Sequence, residues 1–137
     1  AKKVGARTTF MAVNSGSSQI AKGLGSLAHG MVFSQVVPSP WERKREIARE
    51  YQDAARKASP NPEFNYGALE GYMTAKVLAM ALRSIPPKEL SRASLVKALY
   101  SGPFDVGGLV VRFEPGNHEG SHFVDLSIVS REGRFIH

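Results

Sequence analysis

The stretch GMVFSQVVPSPW (residues 30–41) decides how the rest of the chain is read. Met31 to Val37 is a short run of apolar and β-branched residues, the length and character of a buried strand. Pro38 and Pro40 end it, because each fixes its own φ, holds the residue before it extended and has no amide for a ladder hydrogen bond. The chain therefore leaves a sheet stiffly and runs straight into the charge-rich segment ERKREIARE (42–50). Where so stiff an exit leads depends on what flanks it.

Upstream, Arg7 to Val13 is β-prone and NSGSS (14–18) breaks it as a loop. Ser17 or Ser18 is placed to cap a short helix through Leu24, and Gly25 suits the left-handed residue that ends one. With 31–37 these pieces make strand, helix, strand: the unit of a parallel sheet with its crossover helix on one face, and an α/β fold.

Downstream, Ile47, Ala48, Tyr51, Ala54, Ala55 and Ala58 share one face of a helix predicted from about Trp41 to Ala58, which SPNP (59–62) stops. A second helix spans Tyr66 to Arg83; it is apolar on most faces and is predicted to be central and mostly buried. IPPKEL (85–90) precedes a third, with Ser91 as its cap, a Leu90–Leu95 staple and a stripe of Leu95, Val96 and Leu99. After SGPFDVGG (101–108) the character turns to β: LVVRF (109–113), a turn-rich EPGNHEGS, HFVDLSIV (122–129), the turn REG and then RFIH. His122, Val124, Leu126 and Ile128 alternate imperfectly with Phe123, Asp125 and Ser127, as in a half-covered strand.

The 137 residues, 42% hydrophobic and 22% charged, suit one globular domain with a real core, and no apolar run is long enough to cross a membrane as a helix. There are no cysteines, which excludes disulfides, thiol nucleophiles and cysteine metal sites. The net charge of +6 is not concentrated: ERKREIARE interleaves signs, so Glu42/Arg45 and Glu46/Arg49 can pair, and the segment reads as a solvated helix face. Its rival reading is a basic nucleic-acid contact through Arg43, Lys44, Arg45 and Arg49. The opening AKKVGARTTF lacks Met and goes almost directly into strand-like sequence, which suggests a fragment or a processed product.

No catalytic set is present. His118 and His122 flank a Gly-containing loop rather than sharing a helix face, and no GxSxG, HExxH, Walker or GxGxxG pattern occurs. GLGSLAHG (23–30) follows a helix instead of opening one, so it is a helix stop and not a phosphate cradle. No cofactor and no metal is called for. NSGSS is different: it lies between the end of a strand and the start of a helix, where open α/β sheets bind ligands, although an ordinary βα loop with a Ser cap reads the same way.

In order and wording, TTFMAVNSGSSQIAKGLG (8–25), GMVFSQVVPSPW, EYQDA (50–54), FNYGALEGYMTAKVLAMAL (64–82), LVKAL (95–99), GLVVRFEPGNHEG (108–120) and FVDLSIV (123–129) resemble the C-terminal part of the type 1 periplasmic ligand-binding proteins. The branch is that of the leucine/isoleucine/valine-binding-like receptors of ABC transporters. The resemblance implies part of a bilobed fold with parallel sheets flanked by helices and a C-terminal β-hairpin, two lobes joined by three crossing strands, and a ligand held between them. VVPSPW then looks like one of those crossings: residues 1–37 belong to the second lobe, 38–120 to the first, and 121–137 return to the second.

The implied function is a periplasmic receptor, not an enzyme, that closes on a small organic solute and docks on permease subunits, with no nucleic acid involved; a bilobed sensor without transport shares the fold. For the ligand, the resemblance implicates Asn14 and Ser15 in the loop and Phe64 or Tyr66 at the helix start, where a core aromatic is the plainer reading. Amino-acid-binding relatives place an acidic side chain where Asn14 stands; an amide lacks that charge, which puts a standard α-amino acid in doubt and leaves organic carboxylates open. Trp41 either packs beneath the hinge or touches the ligand. With part of each lobe absent, the chain is also expected to self-associate.

Overall fold

The computed structural model describes residues 8–13 and 16–137. Among them, β1 (Met11–Ala12), α1 (Ser17–Leu24) and β2 (Val32–Gln35) form the strand–helix–strand unit, with β1 and β2 parallel and Ala12 opposite Phe33. Two later strands, β5 (Asp125–Val129) and β6 (Phe135–Ile136), complete a sheet of order β1-β2-β5-β6. β5 runs antiparallel to β2, and β6 returns as a hairpin through Arg131–Gly133. The sheet is therefore mixed: only the pair joined by the crossover helix is parallel.

Gly16, with φ 70°, and not a serine hydroxyl, stands at the start of α1, while Gly25 ends it with the positive φ, 54°, that favours glycine, although its ψ of −128° is not that of the left-handed helical residue the sequence predicts. On the sheet face that α1 covers, Ala21, Ala28, Phe33 and Val129 form a small core. β5 turns its faces opposite to the simple hydrophobic reading. Ser127 and Val129 point inward, and Leu126 and Ile128 point out, because the inward row continues Phe33 and Gln35 of β2 and the Gln35 amide donates to Ser127 Oγ at 2.9 Å.

Between β2 and β5 the chain makes a helical body: α2 (Glu46–Ala58), α3 (Tyr66–Arg83), α4 (Arg92–Tyr100) and a hairpin of β3 (Phe104–Asp105) and β4 (Val110–Val111). Its core joins Ile47 and Tyr51 of α2, Tyr66, Leu69, Met73 and Val77 of α3, and Val106 of the hairpin turn. α3 has the predicted boundaries but not the predicted all-round burial. It buries one stripe and leaves Leu78 and Leu82 exposed, since the neighbouring elements cover only one side of it. Ser91 caps α4 through a reciprocal box with Ser94, whereas Leu90 is 58% exposed and staples nothing tightly.

α2 begins at Glu46, five residues later than its periodicity predicts. Side chains reaching back explain the delay. Gln52 Nε2 donates to the Pro40 and Glu42 carbonyls at 3.0 and 2.8 Å, and Arg49 Nη1 donates to those of Arg43 and Lys44 at 2.8 and 2.9 Å. With their carbonyls satisfied in this way, residues 41–45 stay irregular. Arg43 donates in turn to Gln52 Oε1 at 3.0 Å, so Gln52 is 2% exposed and fully bonded. Glu42 pairs with Arg45 at 3.6 Å as predicted, while Arg49 is bonded to carbonyls and Glu46 begins the helix. None of the described helices is long and apolar enough to cross a membrane.

Candidate functional site

Aromatic rings tie the two cores together. Phe135 of β6 packs against both, and Trp41, just after the buried Pro38 and Pro40, lies parallel to it at 5.9 Å and 11°. Tyr66, the first residue of α3, meets both rings edge-on, at 5.4 Å from Trp41 and 5.5 Å from Phe135. Such edge-to-face pairs stabilise beyond the area they bury. The Tyr66 hydroxyl sits 3.1 Å from His137 Nε2, and His137 Nδ1 is 3.3 Å from Asp125. Burial pushes that hydroxyl up to about 12, so it stays protonated and serves as a structural hydrogen-bonding group.

Two grooves flank this junction where the first turn of α1 faces the start of α3. The smaller, about 300 Å³, runs between Gly16–Gln19 and Asn65–Glu70. The larger, about 750 Å³, is lined by the rings of Trp41, Phe64 and Phe135 and by Lys22, Arg131 and Arg134, among others. Ser18 and Asn65 line both. The Asn65 side chain caps α3 by accepting from the Ala68 amide at 2.8 Å, whereas Ser18 Oγ is shielded from solvent with no hydrogen-bond partner among the described residues.

Of the residues implicated by sequence, Asn14 and Ser15 lie outside the described residues, directly before Gly16. Phe64 lines the larger groove, half-buried, 5.7 Å from Tyr51 and beneath the Arg56 guanidinium at 5.4 Å. Tyr66 borders the smaller groove, but it is 2% exposed and its ring and hydroxyl are committed to the junction. Trp41 both packs at the junction and remains 43% exposed in the larger groove. Sequence reading overlooked Lys22, Arg131, Arg134 and Phe135; no motif marks them, and only the β5–β6 return brings the last three to α1.

Chemically, the junction offers aromatic surface, cations, a hydroxyl and the start of α1, which no side chain of Gly16 caps, and among the described residues no cluster of His, Asp and Glu fit to hold a metal. The sequence profile of the periplasmic binding proteins matches residues 1–133. The chain belongs to that family.

Solved structures agree. A possible leucine/isoleucine/valine-binding protein from Rhodopirellula baltica superposes with a TM-score of 0.89 and 32% identity, covering 100% of this chain and 38% of that one. An extracellular ligand-binding receptor from Verminephrobacter eiseniae gives 0.83 and 29%, over 99% of this chain and 39% of that one. A branched chain amino acid ABC transporter protein from Thermus thermophilus with bound valine shares the fold, at 0.74 and 18%, over 99% and 39%. This periplasmic binding protein chain thus spans about two fifths of the length of the structures it matches. No curated sequence matches it. The family and these neighbours are binding receptors and transporter components, not enzymes.

Proposed function

We propose that the chain is part of an extracellular solute receptor of an ABC transporter, acting in the periplasm, that closes on a small organic solute and delivers it to permease subunits without chemistry of its own. The carrying observation is the family match over residues 1–133, joined to a groove at the meeting of two separately cored bodies. In this reading residues 1–37 and 121–137 are second-lobe sequence and 38–120 first-lobe sequence. The two passages between them start side by side, since Val36, Val37, Gly120 and Ser121 line one groove. Closure then needs contacts that differ between open and closed states, and a solute bridging α1 and the start of α3 supplies them.

Arg43 and Arg49 are occupied in fixing residues 40–44, which supports a receptor over a basic nucleic-acid surface. Asn14 in place of an acid supports a solute other than a standard α-amino acid. The test is a thermal-shift panel on the full-length protein with branched-chain amino acids, aromatic carboxylates, short-chain acids and amides. A ligand at about 100 times its dissociation constant stabilises the folded state by about 2.7 kcal/mol, so one chemical class should raise the midpoint by several degrees. Silence across the whole panel overturns the receptor reading.

A further inference from the structure

We propose that His137 is a proton-operated latch between the helical body and the four-stranded sheet, tying them when it is neutral and loosening them when it is protonated. Its meaning for a solute rests on the two-lobe reading above, in which the latch spans both lobes.

Three side chains from different elements make the latch. Tyr66 opens α3 and belongs to the core of the body, whereas Asp125 opens β5 and His137 follows β6, both in the sheet. His137 Nε2 lies 3.1 Å from the Tyr66 hydroxyl, and Nδ1 lies 3.3 Å from Asp125 Oδ2. Asp125 is itself held in place, its Oδ1 accepting the Leu126 amide at 2.8 Å. Tyr66 also meets Trp41 and Phe135 edge-on, so the latch and the aromatic joint share one residue.

Donor and acceptor roles fix what a proton does here. A carboxylate only accepts, so neutral His137 carries its hydrogen on Nδ1. Nε2 then offers a lone pair, and the Tyr66 hydroxyl, which keeps its proton, donates to it. An imidazolium donates from both nitrogens. Tyr66 must then accept, and its own proton has to swing to another acceptor. Ser39 and Ser127 are within reach of the hydroxyl, but Ser127 Oγ already accepts from Gln35 at 2.9 Å. The one link of the chain that crosses from sheet to body is thus reversed, with a phenol oxygen replacing imidazole nitrogen as the acceptor.

The surrounding charges do not restore it. Glu42, Lys44 and Arg45, from the passage before α2, line one cleft with Ser39, Asp125 and His137. The two carboxylates there balance the two cations, and Glu42 is engaged with Arg45 at 3.6 Å, so protonation leaves one positive charge in excess. Asp125 attracts the imidazolium, but from within the sheet, so that attraction does not hold the body.

The experiment follows acrylamide quenching of Trp41 in the full-length protein from pH 8 to pH 5, the range in which an imidazole ordinarily changes charge, with Trp41→Phe as the background. Trp41 is 43% exposed and packs on Phe135 and Tyr66, so separation of the two bodies uncovers the rest of it. The expected result is a one-proton rise in quenching on acidification, from a loosened population about five-fold larger, the weight of one hydrogen bond. His137→Gln, whose amide donates and accepts at every pH, should give a flat profile. Tyr66→Phe has no proton to donate and should be quenched at pH 8 as strongly as the unmodified protein at pH 5. Equal thermal midpoints of the variants at pH 8 place the difference at the joint and not in folding. A flat profile in the unmodified protein overturns the latch, and so does a step that survives in His137→Gln. Either failure leaves the receptor reading to the solute panel, which is run at pH 8.

Discussion

The helical body and the four-stranded sheet bury their apolar residues differently. In the body, Ile47, Ala48, Leu69, Ala81 and Val106 are wholly removed from solvent, and α2, α3, α4 and the β3–β4 hairpin supply each other's partners. In the sheet, α1 covers one face only. On the other face Met11, Val32, Ile128 and Ile136 form a row across all four strands, with Met11 69%, Ile128 44% and Ile136 52% exposed. An antiparallel or mixed sheet can leave one face to solvent, but that face is then normally polar, and this row is apolar. The body is thus close to self-sufficient, while the sheet leaves an apolar row uncovered among the described residues.

The sharpest way to break that contrast is Leu69→Ala at the centre of the body. Loss of a fully buried leucine should cost about 3 kcal/mol, read as a fall in the denaturant midpoint. A cost below about 1 kcal/mol would mean that the body is not the stable part.

Next is Gly107→Ala. Gly107 has φ +108° and accepts the Ile47 amide at 3.1 Å, and a Cβ there would lie 2.8 Å from Ile47 N. Backbone strain and collision together should cost about 2 kcal/mol. Gly108→Ala, at φ +86° with nothing within 4 Å, isolates the conformational part and should cost about half as much.

A gentler probe of the same corner is pH. Asp105 accepts the Gly107 and Gly108 amides at 2.9 and 2.8 Å, and these bonds hold its carboxyl below the ordinary value. Its support for the hairpin should therefore be complete above the unfolded value of about 3.9 and fade as pH falls through the lower folded value. Amide shifts of Gly107 and Gly108 should follow that titration, and Asp105→Asn should flatten it.

Smallest in stability is Ile128→Ser on the bare sheet face, expected within about 0.5 kcal/mol. Its effect should appear in light scattering instead, as reduced self-association of the 137-residue chain. If that chain is a clean monomer before mutation, the bare face draws no partner and the contrast fails.

Much of this was legible in the sequence because local rules govern it. The strand–helix–strand unit, the bounds of α3, the Ser91 cap and the REG hairpin all follow from period and punctuation. The start of α2 was not legible, because Gln52 and Arg49 compete for carbonyls through bonds that periodicity does not encode. The facing of β5 was hidden because Ser127 points inward to meet Gln35 92 positions away. At the candidate site, loop chemistry pointed to residues 14–18 and family wording to Phe64 and Tyr66, but Tyr66 turned into the core and the cationic lining was invisible until topology gathered it.

The shared groove of Val36, Val37, Gly120 and Ser121 has a kinetic consequence. The β2–β5 pairing joins strands separated by the whole helical body, a separation that would ordinarily make it slow to form. Closing an open loop of that length is an entropic cost that grows with the logarithm of its length. The body's contacts within and between α2, α3 and α4 are much more local, so it can condense while the strands are still unpaired. Once it has done so, its two ends emerge side by side, and the chain that must close is a few residues long. A body that condensed first would bring together in time the strands that it separates in sequence.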